Sequence, residues 1–178
     1  MGGSVCAGLP IFVALPYCVS GMGFFSFLFS RPFYIGDAVF GRLRRESLDR
    51  RTGKAWFAND DLTFTPTGQR IGIYLDAPET GPTVAQQAFY HHIEQDYITL
   101  IAKLIPLIED EFQCWRPGFC INDFATEFRL TGISIPELEY PTPEVAWDWS
   151  FETVHDANHT LTFYMAGDTP RPGMQMDG

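Results

Sequence analysis

The pattern of apolar residues along this chain predicts an α+β domain. The expected form is a mostly antiparallel sheet of about seven to eight strands, with one long kinked helix packed on one face. Three observations lead there. Short alternating runs occupy both halves of the chain, a single long helical stripe separates them, and the connections between strands are short and turn-like. Aromatic residues make up 15% of the sequence, and their side chains suit the half-buried surface of a pleated sheet.

Before the helix, Phe33–Ile35 and Val39–Arg45 read as strands. The second sets Phe40, Arg42 and Arg44 against Val39, Gly41 and Leu43. Asp49-Arg50-Arg51-Thr52-Gly53 is a glycine-closed turn. Lys54–Ala58 and Leu62–Thr65 read as two further strands, separated by Asn59-Asp60-Asp61. Arg70–Asp76 places Ile71, Ile73 and Leu75 on one face.

The helix begins after Gly81-Pro82. Proline suits a first turn, and Thr83 with Gln86 has capping-box spacing. Phe89, Ile93, Tyr97, Leu100, Ile101, Leu104 and Ile108 then form one apolar stripe. Pro106 removes the bond to the Ala102 carbonyl, so a kink or restart is expected there. Glu109-Asp110-Glu111 lies at the end where the helix dipole disfavours negative charge.

Beyond the helix, Cys114 and Cys120 bracket a loop. Glu127–Ile135 reads as a strand and Glu137–Glu144 as a proline-rich acidic connector. The clearest strand follows, with Val145, Trp147, Trp149, Phe151 and Thr153 on one face and Ala146, Asp148, Ser150 and Glu152 on the other. A turn at His155–Asn158 leads into Thr160–Met165, and Gly173–Asp177 closes the chain as a short strand.

Residues 1–21 form an apolar leader, either an upstream mis-start or a signal-like segment, ahead of a single domain over 22–178. The first thirty residues carry no charged side chain. Pro10 and Pro16 argue against a spanning helix, and a secretory signal would want a positive start. A start at Met22 and removal of a signal both leave the same mature domain. The expected location is the cytoplasm, with export through residues 1–21 as the alternative.

Net charge is −10 over 178 residues. From Arg31 to Lys54 seven basic residues meet three acidic ones, and from Ala55 onward five meet nineteen. That acidity disfavours nucleic acid, whose phosphates it would repel, and matches a basic protein as partner. None of the four cysteines has the paired spacing of a zinc or redox site. A disulfide across Cys114 and Cys120 stays open. No phosphate-binding glycine loop, nucleophile elbow or zinc-protease motif is present, and no cofactor is expected.

The side chains best suited to chemistry are His155, Asp156 and His159, since imidazoles and a carboxylate at one turn could hold a transition metal. Equally, Asp156 and Asn158 are ordinary turn residues. His91 and His92 are adjacent on the helix and point apart. Asp148 and Glu152 share a strand face, yet strand rise separates them by about 13 Å, too far for a catalytic pair.

Phe40-Gly41-Arg42-Leu43, Gly81-Pro82-Thr83 entering the Gln86/Gln87 helix, and Trp149-Ser150-Phe151-Glu152 with Asp156, His159 and the closing Asp177-Gly178 carry a resemblance. From Met22 to the C-terminus the chain resembles a group of uncharacterised bacterial domain-of-unknown-function proteins. These are similar in size and layout to immunity-type proteins that neutralise toxins in bacterial competition. The resemblance implies a bacterial protein that acts by binding another protein, and it carries over no catalytic residue. The expected function is therefore non-catalytic protein binding. An enzyme or metal-binding protein using the His155/Asp156/His159 turn is one alternative, and an exported envelope protein is another.

Overall fold

The computed structural model of the protein describes residues 32–140 and 144–177. The leader, the alternative start at Met22 and the two cysteines Cys6 and Cys18 lie outside these residues. Nine strands form one sheet. Eight follow one another across it as β1 (Phe33–Asp37), β2 (Gly41–Asp49), β3 (Lys54–Phe64), β4 (Gln69–Pro78), β5 (Phe128–Ile135), β6 (Ala146–Thr153), β7 (Asp156–Ala166) and β8 (Thr169–Pro170). The ninth, β9 (Gln175–Asp177), pairs with β7. All pairings are antiparallel except β4 with β5.

That exception follows from connectivity. A parallel pair needs a long crossover, and the chain supplies it as α1 (Val84–Gln113), which separates two antiparallel meanders. The α+β expectation is thus met, with one parallel pair at the centre of the sheet.

Turn chemistry sets each hairpin. The Asp37 carboxylate accepts the backbone N–H groups of Val39 (2.8 Å) and Phe40 (2.9 Å), and Gly41 takes a left-handed φ of 68°. The Asp49 carboxylate accepts from Arg51 N–H and the Thr52 hydroxyl, which holds it below the usual carboxylate range. At the β3–β4 turn, Glu94 on α1 accepts the Thr65 N–H at 3.1 Å and ties the turn to the helix.

The entry to α1 is the best-anchored joint. Thr83 and Gln86 close a capping box. The fully buried Gln86 also donates through Nε2 to the carbonyls of Asp76 (2.7 Å) and Pro136 (2.8 Å), at the ends of β4 and β5. One side chain therefore caps the helix and clamps the parallel pair beneath it. Pro106 does not restart the helix, which runs as a single element of 30 residues. Both Pro106 and Ala102 are exposed, so water can serve the carbonyl that proline leaves without its N–H.

Aromatic rings join α1 to the sheet. Phe89 meets Trp147 edge-on at 5.8 Å, and Tyr97 lies between Phe64 (5.2 Å) and Trp149 (6.3 Å). Trp149, Phe151, Phe163, Phe57 and Leu75 are fully buried beneath it. The Trp147, Trp149, Phe151 face therefore packs under the helix, and burying each such ring contributes roughly 1.5–3 kcal/mol.

Three elements depart from the sequence reading. Asn59-Asp60-Asp61 does not divide two strands; β3 is continuous, and its register shifts between Asn59 and Leu62. The Asn59 amide donates to the Phe40 carbonyl at 2.8 Å, so the polar triplet forms a β-bulge. Glu127 does not open β5. It closes a one-turn helix, α2 (Phe124–Glu127), capped by Asp123. The last strand is confined to Gln175–Asp177, and the two-residue β8 precedes it.

Candidate functional site

Successive strand residues point to opposite faces, so the register identifies which side chains share the face away from α1. One row crosses seven strands: Tyr34, Arg44, Ala58, Tyr74, Ser134, Asp148 and Tyr164. A neighbouring row runs Gly72, Gly132, Ser150, Thr162 and Gln175. Among the described residues, no helix covers this face. It is chemically mixed along its length.

At the β1–β2 edge the face is basic and aromatic. The Arg42 guanidinium lies 3.9 Å from the centre of the Tyr34 ring. Arg44 pairs with Glu46 and, at 3.5 Å, with Asp60. In the middle, Trp56 and Tyr74 stack with centroids 6.3 Å apart and planes 14° from parallel. The Tyr74 ring lies over the parallel pair at Gly72 and Gly132. A Cβ at Gly72 would come within 2.7 Å of the Tyr74 hydroxyl, and one at Gly132 within 3.2 Å of the ring. Two glycines side by side thus make the trough that holds this ring. Its hydroxyl donates to Asp60 at 3.4 Å, and burial raises its pKa.

The far third is hydroxyl-rich and acidic. Ser150 and Thr162 bond across β6 and β7 at 2.9 Å. The Tyr164 hydroxyl donates to Gln175 at 2.6 Å. Asp148 accepts from the Ser134 hydroxyl, yet burial prevails and holds its carboxyl above the ordinary carboxylate range. Glu152 is engaged separately by Arg129 at 2.5 Å. Asp148 and Glu152 thus have different partners and do not act as a pair.

The His155/Asp156/His159 turn is organised differently from a metal site. The His155 Nε2 faces the Glu127 carboxylate at 2.7 Å, while Arg116 Nη1 donates toward Nδ1 at 3.4 Å. The ring is thus held between a carboxylate on one nitrogen and a guanidinium on the other. The ring stands edge-on to Phe119 at 4.8 Å, close to Phe112 and Phe128. His159 instead faces Asp156 at 2.8 Å. Each imidazole has its own carboxylate, and no group of three His, Cys, Asp or Glu side chains suited to a metal occurs among the described residues. Here His155 is a fastener between the end of α1, α2 and the β6–β7 turn. Glu127 also accepts the backbone N–H groups of Asn122 and Asp123, which with His155 pull its pKa down.

The remaining sequence candidates also have partners within the chain. His92 bridges Asp96 on α1 (2.9 Å) to Asp168 beyond β7 (2.8 Å), and His91 faces Glu94 at 3.1 Å. Glu109 accepts the Ile121 N–H at 2.8 Å and so pins the loop after the helix. Cys114 and Cys120 are exposed and not joined by a disulfide. A separate apolar groove of about 590 Å³ lies between α1, the β3–β4 turn and α2, lined by Ile98, Ile101, Ile105, Phe124 and Phe128.

Sequence reasoning placed Asp148 and Ser150 on the outward face of β6 but missed Trp56, Tyr74, Ser134 and Tyr164 as their neighbours. The strand alternation carries that signal only once the register is known. No described helix is long and apolar enough to cross a membrane. No family model, curated protein or solved structure matches this chain.

Proposed function

We propose that this is a non-catalytic protein-binding protein that docks a basic partner on the open face of its sheet. The observation that carries the reading is the uncovered row from Tyr34 to Tyr164, which sets the rings of Tyr34, Tyr74 and Tyr164 and the carboxylate of Asp148 across the sheet of a chain whose net charge is −10. Aromatic residues supply much of the energy at protein interfaces. Net negative charge accelerates encounter with a basic partner. An immunity-type role, in which the partner is a basic toxin, is the specific form that the family resemblance suggests.

The test is affinity capture from lysate of the source organism with the full chain, comparing wild type with Tyr164→Glu and eluting by salt gradient. One stoichiometric basic partner retained by the wild type and lost by the variant supports the reading. A partner retained equally by both contradicts it, as does retention of basic proteins without selection.

A further inference from the structure

We propose that Asp148, set between Ser134 and Tyr164 on the open face, is the receptor for a single arginine side chain of the partner. The inference rests on the protein-binding reading above and names the chemistry of its central contact.

The geometry begins with register. Ser134 on β5 and Tyr164 on β7 lie directly opposite Asp148 on β6, which puts their Cβ atoms roughly 4.5–5.5 Å from its own. Ser134 satisfies part of the carboxylate. Tyr164 is 44% exposed, its hydroxyl is held by Gln175, and it lies within the field of the Asp148 carboxylate.

The other acids of this face are provided for. Glu46 and Asp60 share Arg44, Asp61 has Arg70, and Glu152 has Arg129. Burial raises the carboxyl of Asp76, but Lys54 of the chain itself already supplies a positive charge that opposes the shift, and the Gln175 amide donates to both oxygens of Asp177. Asp148 enters no ion pair among the described residues, and its one hydrogen-bond donor, Ser134, does not offset the burial that opposes its charge. A cation arriving from outside would supply what the chain itself withholds. Opposite charge close to a desolvated carboxylate stabilises the ionised form, so binding and ionisation of Asp148 reinforce each other.

Arginine fits this place better than lysine. A guanidinium is planar, weakly hydrated, able to give a carboxylate two parallel hydrogen bonds, and able to stack on an aromatic ring. Lysine offers a strongly hydrated point charge. The chain already uses the same contact at its other edge, where Arg42 covers Tyr34 at 3.9 Å and Arg45 covers Phe33 at 4.1 Å. At Asp148 the ring and the carboxylate are present and the arginine is not.

The experiment titrates the full chain, labelled with 13C at aspartate carboxyls, against three blocked tripeptides: Gly-Arg-Gly, Gly-Lys-Gly and Gly-citrulline-Gly. Citrulline keeps the shape of arginine and removes the charge. The expected result is a saturable shift of the Asp148 carboxyl and Tyr164 ring signals with the arginine peptide. The Asp148 titration midpoint should then fall by about one pH unit at saturation. Citrulline should leave both signals in place, lysine should act at least several-fold more weakly, and Asp148→Asn should abolish the Tyr164 response while keeping the near-UV circular dichroism. Equal responses to arginine and citrulline, equal responses to arginine and lysine, or an arginine response no larger at Asp148 than at Asp61 and Asp96 would each overturn the proposal. Should it fall while Tyr164→Glu still loses the partner, the protein-binding reading stands without its arginine. Should the peptide bind while both proteins retain the partner equally, the docking reading fails.

Discussion

Strand β6 carries two chemistries on one backbone. Trp147, Trp149 and Phe151 are buried under α1, while Asp148, Ser150 and Glu152 point to the opposite face. The covered face is closed by rings packed against rings, and its energy is that of area removed from water. The open face is held by hydrogen bonds and ion pairs that cross from strand to strand. Mutations on the first face should therefore act on stability, and mutations on the second on binding. On the second face the stability effects should be small, and a large one would locate an error in the account.

The largest expected effect is at Trp149→Ala. Removing a fully buried indole should cost about 3–5 kcal/mol in denaturant unfolding. Gln86→Ala comes next. It removes the acceptor of the Thr83 N–H, one half of the capping box, and leaves the Asp76 and Pro136 carbonyls without this donor, for a loss of about 2–3 kcal/mol. His155→Ala opens the fastener at the far end of α1 and should cost about 1–2 kcal/mol. No metal supplement should restore that loss, which a thermal melt with and without zinc would check.

The smallest stability effects belong to the open face. Gly72→Ala pushes only the far end of the Tyr74 side chain. It should change unfolding by less than about 1 kcal/mol while unstacking Tyr74 from Trp56, visible in tryptophan fluorescence. Burial raises the carboxyl of Asp148, so its neutral form favours the fold. That contribution is full below the unfolded carboxylate value and is lost as pH rises through the raised one. Asp148→Asn should thus raise the denaturation midpoint at pH 7, and the gain should vanish in acid. Glu127 behaves oppositely. Its lowered pKa contributes stability above the unfolded value that disappears as pH falls through the folded one, so Glu127→Gln should matter at pH 7 and cease to matter in acid.

The two faces also differ in how far the sequence discloses them. The covered face was legible because burial imposes a period: alternating Trp147, Trp149 and Phe151, and the three-and-four spacing of Ile93, Tyr97, Leu100 and Leu104. The capping box at Thr83 and Gln86 was equally plain. The second role of Gln86, reaching two strand ends, depends on tertiary placement that no local pattern encodes. The bulge at Asn59–Asp61 looked like a loop because polar turn residues serve bulges and loops alike. The open-face row was hidden for a related reason. Tyr74, Ser134 and Asp148 become neighbours only through the parallel pairing of β4 with β5 and the register shift between Leu130 and Gly132. At the His155 turn the sequence showed two histidines and an aspartate together and could not show Glu127 pairing with one of them.

The most direct test sets the two surfaces against each other in one binding experiment. Tyr164→Glu places a charge on the open face, and Ile98→Glu places one on an exposed position of α1 beside the apolar groove. Both positions are exposed, so both variants should fold, and the dissociation constant of each for the captured partner is the quantity to measure. The account predicts that Tyr164→Glu weakens binding at least tenfold, about 1.4 kcal/mol, while Ile98→Glu leaves it unchanged. Loss of binding in Ile98→Glu with full affinity in Tyr164→Glu would contradict it and move the functional surface to the groove beside α1.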